Sequence, residues 1–260
     1  MKKISIIIPA HNEEKRIDAT LERYGEFFSD LNKKKKEYAE ILVVINNTTD
    51  NTEGVVKIMS KKYPIIKFLN LKPKGKGFAI IEGFKDSLAK NFDLIGFVDA
   101  DMSTNPEHFY WLIKSINKND GAIASRALKE SKVKMSLKRK ITHKGFNFLV
   151  RILLFLPYKD TQCGAKIFKR EALEQIVNEL GLTQWGFDVD LLYKLKKRGL
   201  KIKEIRTVWE DKGGSKINLK KVPIRMFASV IRLRLLNSRF KKMVDFYDKL
   251  PEKIKIHHKI

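Results

Sequence analysis

Asp99 and Asp101 are the residues of this sequence best suited to chemistry: two carboxylates one residue apart, directly behind the apolar run Leu94-Ile95-Gly96-Phe97-Val98. The run reads as a strand buried on both faces. In an extended chain the side chains at i and i+2 project to the same side, so the two carboxylates should converge just past a strand end. Open α/β sheets bind ligands there. Clustered carboxylates repel and raise each other's pKa unless a cation holds them ionised, and a divalent ion carrying a substrate diphosphate would do so. A second feature, Lys72-Pro73-Lys74-Gly75-Lys76-Gly77, could cradle phosphate: its glycines allow close backbone approach and Lys76 adds charge. It has neither Walker spacing nor a dinucleotide fingerprint, and a solvated lysine loop is the plainer alternative.

The elements that must position these groups alternate strand and helix, the pattern of a parallel sheet with crossover helices. Strands are expected at Ile4–Ile8, Ile41–Ile45, Ile65–Leu69, Leu94–Val98 and Gly121–Ala124. A helix opening at Asn12-Glu13-Glu14 would place Ile17, Leu21, Tyr24 and Phe28 on one face. Asn47-Thr48-Thr49-Asp50 supplies turn and capping residues for the next helix, and another helix is expected near Phe78–Ala89. The second half reads as a basic helical stretch from Lys132 to Phe155, a turn at Asp160–Gly164 and a short strand near Lys166–Phe168. Two more helices follow, then a strand around Ile202–Val208 and a helical tail from Val222 to Phe240. This is one domain, residues 1–220, with a basic amphipathic segment, 221–260.

The 260 residues suffice for one sizeable core, and 43% hydrophobic with 32% charged residues excludes a disordered chain. Lys plus Arg number 54 against 30 Asp plus Glu, a formal charge of +24. That excess points to a polyanionic partner, nucleic acid, an anionic membrane surface or phosphorylated substrates, beside the simpler reading of a lysine-rich surface. A nucleic-acid-binding protein is disfavoured because no aromatic platform interleaves with the lysines and no recognised motif occurs. The single cysteine, Cys163, excludes an internal disulfide and fits a reducing compartment. The apolar N-terminal run is too short for a signal peptide, and no segment approaches about 20 apolar residues. A soluble or peripheral protein is therefore expected. Phe146, Leu149, Val150, Leu153 and Leu154 share one helical face, and the tail interleaves apolar residues with arginines. Such helices lie in a membrane interface or pack on a core.

With a strand, Pro9-Ala10-His11-Asn12-Glu13, a crossover, a second strand, the glycine–lysine loop and Asp99-Ala100-Asp101 in that order, the chain resembles the inverting family-2 glycosyltransferases of GT-A fold. Three further motifs resemble the dolichyl-phosphate glucosyltransferase branch, a sister of the dolichyl-phosphate mannose synthases. They are Asp160-Thr161-Gln162-Cys163-Gly164-Ala165-Lys166, Trp185-Gly186-Phe187-Asp188-Val189-Asp190, and Trp209-Glu210 with Gly214-Ser215-Lys216. The resemblance covers about Lys2 to Lys216. It implies an α/β, Rossmann-like sheet and a nucleotide-diphosphate sugar, UDP-glucose or GDP-mannose, bound by Pro9, Ala10, His11, Glu13, Asn46, Lys76, Asp99 and Ala100. It also implies Mg²⁺ or Mn²⁺ on Asp99 and Asp101, with Asp101 the stronger ligand. The family usually has Tyr where His11 stands, and two aspartates and a glycine where Ile45, Asn46 and Asn47 stand, which leaves uracil against guanine open. Ser103 stands where mannose synthases carry a glutamine.

The implied acceptor is a dolichyl or other polyprenyl phosphate, contacted by Arg126, Arg139 (or Lys138), Ser215 and Lys216, at the cytoplasmic face of a membrane. A phosphate oxygen is already anionic at neutral pH and needs no strong base. A saccharide hydroxyl acceptor would need one, and Asp188 is then the candidate catalytic base beside Asp101. On the phosphate reading, Asp188 and Asp160 order the acceptor loop or cap helices.

Overall fold

A computed structural model describes residues 1–35, 37–181, 186–210 and 221–240, of which 221–226 by backbone only. Five strands run parallel in the first half and beyond: β1 (Lys3–Ala10), β2 (Tyr38–Asn46), β3 (Ile66–Leu71), β4 (Leu94–Phe97) and β5 (Gly121–Ser125). Between them lie α1 (Ile17–Lys33), α2 (Thr52–Lys62), α3 (Lys76–Ala89) and α4 (Pro106–Ser115). The chain then forms β6 (Lys132–Lys134), α5 (Leu137–Leu154), β7 (Lys166–Lys169), the short α6 (Arg170–Glu174), α7 (Phe187–Lys197), β8 (Ile202–Arg206), β9 (Val208–Glu210) and α8 (Lys221–Leu236).

The seven-stranded sheet has the order β3-β2-β1-β4-β7-β5-β8, and β6 pairs with β9 in a separate ribbon. Register aligns Ile6 with Ile41 on one side and with Gly96 on the other. Strand order reverses at β1, because β2 and β3 lie to one side and β4 to the other; the crevice over the β1 and β4 ends is where such sheets bind ligands. Only β7 runs antiparallel, between β4 and β5, so its first residue, Lys166, stands opposite Phe97 at the edge where the parallel strands end.

Alternation along the strands divides the core between two faces. Ile4, Ile6, Ile8, Ile41, Val43 and Ile45 pack with Ile17, Leu21, Tyr24 and Phe28 of α1 and with Phe109 and Leu112 of α4. Ile7, Leu42 and Val44 pack with Ile80 and Phe84 of α3 and Leu191 and Leu192 of α7. The expected inward face of α1 is fully buried.

Three expectations need correction, and one left open is decided. The segment Asn12–Glu14 does not open a helix: Asn12 takes a left-handed φ of 56° and α1 begins at Ile17. Hydrogen bonds to the loop after β2 hold it, with Thr49 N–H donating to Asn12 Oδ1 at 2.8 Å and Glu13 N–H to Thr52 Oγ1 at 2.8 Å. Residues 132–134 form a strand, not the start of a helix, because β9 supplies a partner backbone. The strand expected over Ile202–Val208 is split at Thr207, whose N–H turns to Ser131 Oγ, leaving β8 in the main sheet and β9 in the ribbon. On α5, Val150 and Leu154 are buried and Phe146 and Leu153 pack on the core. Leu149 of that face is exposed, as are Leu137, Ile141, Phe148 and Ile152, with exposed Lys140, Lys144 and Arg151 beside them. Helix α8 packs on α5, burying Val230 and Leu233.

Candidate active site

Parallel strands bring the ends of β1, β2, β3 and β4 to one edge, and the residues expected to bind the donor lie just beyond them. Three non-glycine residues with left-handed φ follow strand ends here: Asn12, Asn47 and Met102. Such turns reverse the chain sharply and are sparsely populated otherwise. Strand β4 ends at Phe97, so Asp99 and Asp101 do not alternate along one extended strand; Asp101 belongs to the following turn, where its Oδ1 accepts from Ser103 N–H at 3.0 Å. Between them, the Ala100 carbonyl accepts from Thr20 Oγ1 at 2.8 Å, fixing the turn to α1.

Asp99 Oδ1 meets Lys76 Nζ at 2.5 Å. Burial alone would raise the Asp99 pKa, but the charge and hydrogen bond of Lys76, helped by Lys166 and Arg126, outweigh it and the pKa falls. Burial likewise opposes charge on Lys76, and Asp99, Asp188 and Asp101 override it upward. Lys76 opens α3 directly after Gly75, whose φ of 138° suits glycine alone. Gly164 adds a steric condition: a Cβ there would stand 1.9 Å from Asp99 Oδ2. The Asp99 carboxylate is thus bounded by residues from both halves of the chain.

Around the expected base site, Asn46 is buried; its Nδ2 donates to the Gly75 carbonyl at 3.3 Å, and its Oδ1 has no partner. His11 Nδ1 lies 2.9 Å from the Asn46 carbonyl. Pro9 and Ala10 are the last residues of β1, paired with Val44 and Ile45. Glu13 is ion-paired with Arg16, and Arg16, which sequence reasoning passed over, also feels the charges of Asp101 and Asp99.

On the other side of β4, a second set of charges is buried. Asp160 is fully buried and accepts from Arg126 Nε at 2.7 Å, Arg126 Nη2 at 3.0 Å, Arg126 N–H at 2.9 Å and Gln162 N–H at 3.1 Å. His143 Nε2 of α5 lies 2.9 Å from Asp160 Oδ1, the oxygen that also accepts from Arg126 Nη2 and Gln162 N–H. Burial would raise the Asp160 pKa, yet Arg126 and His143 hold it well below the ordinary carboxylate range. Lys166, with its side chain wholly buried, donates to the Cys163 carbonyl at 2.5 Å and to Asp188 Oδ1 at 2.6 Å, and lies over the Phe97 ring. Trp209 carries two cations on its indole, Arg126 at 5.2 Å and Arg139 at 5.1 Å from the ring centre. Ser215, Lys216 and Trp185 lie outside the described residues.

The structure therefore gathers Asp99, Asp101, Lys76 and Lys166 at one edge, and Arg126 with Arg139 at Trp209. His143 and Lys166 were missed as participants. A lysine inside the apolar run Ala165-Lys166-Ile167-Phe168 was a visible signal, but its partner, 22 residues away, was not. Among the described residues no group of three or more His, Cys, Asp and Glu could hold a metal. The pair Asp99 and Asp101 nevertheless suits a Mg²⁺-type ion, which takes one or two carboxylates and completes its shell with phosphate oxygens and water. The Lys76 ammonium on Asp99 shows that this carboxylate accommodates a cation.

This architecture is that of the GT-A fold. Among solved structures the fold resembles glucosyl-3-phosphoglycerate synthase from Mycobacterium tuberculosis, crystallised with Mn²⁺, UDP and phosphoglyceric acid, at a TM-score of 0.67 and 18% identity, covering 90% of this chain and 78% of that one. It resembles mannosyl-3-phosphoglycerate synthase from Rubrobacter xylanophilus equally, at a TM-score of 0.67 and 19% identity over 97% and 79% of the two chains. The profile described as Glycosyl transferase family 2 matches residues 5–177. The chain is 34% identical over 243 residues to the dolichyl-phosphate β-glucosyltransferase of Dictyostelium discoideum, covering 89% of this chain and 73% of that protein. It is 34% identical to the human protein of the same description, over 83% and 70% of the two. The chain belongs to glycosyl transferase family 2 and is a glycosyltransferase.

Proposed function

We propose that the enzyme moves a hexose, glucose in the first instance, from a nucleotide-diphosphate sugar to a dolichyl or other polyprenyl phosphate, with inversion. The phosphate oxygen forms a bond to the anomeric carbon as the bond to the diphosphate breaks on the opposite side. An α-linked donor then gives a β-linked product and free nucleoside diphosphate. The relatives named dolichyl-phosphate β-glucosyltransferase support the substrate pair. The observation that carries the acceptor class is Asp188. Its Oδ1 is held by the fully buried Lys166, while Arg126, Arg139 and the basic start of α5 gather cations nearby. A phosphate nucleophile needs positioning and neutralisation rather than a strong base.

On the donor side, Asp99 and Asp101 would hold Mg²⁺ or Mn²⁺, which supplies charge stabilisation at the departing diphosphate. Lys76 is placed to follow the diphosphate charge, and the unpartnered Asn46 Oδ1 offers an acceptor for a base N–H. No described helix is long and apolar enough to cross a membrane. The outward face of α5, apolar and flanked by basic residues, suits an anionic membrane surface, which would deliver the lipid phosphate from the cytoplasmic side. Failure to bind anionic liposomes at low salt would remove that part of the reading.

The test is label transfer from UDP-glucose and, separately, GDP-mannose, with polyprenyl phosphate and Mg²⁺ or Mn²⁺. Organic-phase label that vanishes with EDTA and in Asp101→Ala is expected. Transfer only to saccharides, lost in Asp188→Asn while donor binding persists, would instead establish a hydroxyl acceptor with Asp188 as its base.

A further inference from the structure

We propose that Trp209 is a positioning residue for the acceptor phosphate, its indole holding the Arg126 and Arg139 guanidiniums together so that both address one anion. The proposal rests on the phosphate-acceptor reading above.

Three observations carry it. Arg126 follows the end of β5 and Arg139 lies in the first turn of α5, yet their guanidiniums lie within 5.2 Å and 5.1 Å of the same ring centre. Like charges repel, and the electron-rich face of an indole is the side-chain surface best able to receive guanidinium groups. Trp209 is itself nearly buried, placed at the margin of the core by the three-residue ribbon that pairs Val133 with Trp209. Finally, Lys138, Arg139 and Lys140 occupy the first turn of α5, which has no acidic residue. Cations at a helix N-terminus oppose the helix dipole, and a bound anion relieves both that and the repulsion among them. Arg126 cannot reorient alone, because Asp160 grips it from two nitrogens. The indole is the surface on which Arg139 meets it.

The experiment compares the full chain with Trp209→Phe and Trp209→Leu, reading KM for polyprenyl phosphate, KM for the nucleotide sugar, and the thermal midpoint. Trp209→Leu is expected to raise the acceptor KM by about five- to tenfold, with donor KM within about twofold of wild type. Trp209→Phe, which keeps a ring, should recover part of the loss. In Arg139→Ala the further change Trp209→Leu should add little to the acceptor KM, since the pair acts as a unit. An unchanged acceptor KM in both variants overturns the proposal. So does a parallel rise of both KM values with a lowered midpoint in the Phe as well as the Leu variant, which is what a packing role alone would give. If the wild-type chain transfers sugar to saccharides and not to polyprenyl phosphate, the acceptor reading itself has failed, and the proposal falls with it.

Discussion

The two halves of this candidate site, the proposed donor and acceptor sides, handle charge in opposite ways. Lys76 and Asp99 form an ion pair that remains reachable, with 41% and 30% of their side chains exposed. Across β4, Asp160 and Lys166 are wholly buried and their partners Arg126 and Asp188 nearly so, at 9% and 14%. An open pair can exchange partners when a diphosphate and a cation arrive. A closed pair cannot, because removing either charge leaves the other stranded in low dielectric. On the proposed reading, the exposed carboxylates serve ligand exchange and the buried ones hold geometry.

Asp160→Asn should break the closed side most severely, destabilising the protein by about 3–5 kcal/mol in denaturant unfolding. The pH dependence has a definite sign. The folded carboxyl ionises well below the unfolded value of about 3.9, so its stabilisation is complete above about pH 4. It is lost as the pH falls toward the folded pKa. The stability gap between wild type and variant should be flat near neutrality and narrow below about pH 4. A gap that narrows near pH 7 would mean that another group dominates.

Asp101→Ala tests the open side. Transfer should drop by about 100-fold or more, while stability changes by no more than about 0.5 kcal/mol. A large loss of stability would erase the distinction between the two sides.

Gly164→Ala joins the two regions, because its methyl would collide with the Asp99 carboxylate. Transfer is expected to fall by about tenfold or more, with a stability cost of about 1–3 kcal/mol. Wild-type kinetics in this variant would show that the Asp99 position is not critical. The smallest effect concerns Cys163, where burial pushes the thiol pKa up to about 11. Native protein should resist iodoacetamide at pH 8, whereas unfolded protein reacts readily. Rapid native labelling would show that the closed side opens.

Much of the donor side was legible because its signals are local. The strand before Asp99, the glycine at the start of α3 and the apolar face of α1 each follow from residues within a few positions of one another. The helix expected from Asn12 failed because its capping residues found partners in the loop after β2, 36 and 37 residues on. The apolar face of α5 stayed open between membrane and core because periodicity locates a stripe without saying whether a neighbour covers it. On the acceptor side Arg126, Arg139 and Asp160 were visible as charged residues, but their pairing was not.

By itself, the order of strands, loops and carboxylates determined the sheet, the edge where the carboxylates stand and the family. Those properties rest on short-range patterning, in which burial and backbone conformation are written into neighbouring residues. Tertiary structure alone decided that Lys166 reaches the reactive edge, because only the reversed direction of β7 puts a strand's beginning beside the others' ends. It alone decided that Asp188 neutralises that lysine and that Trp209 gathers two arginines. A buried charge constrains its partner through distance, not through sequence spacing, so each of these assignments waited on the folded chain.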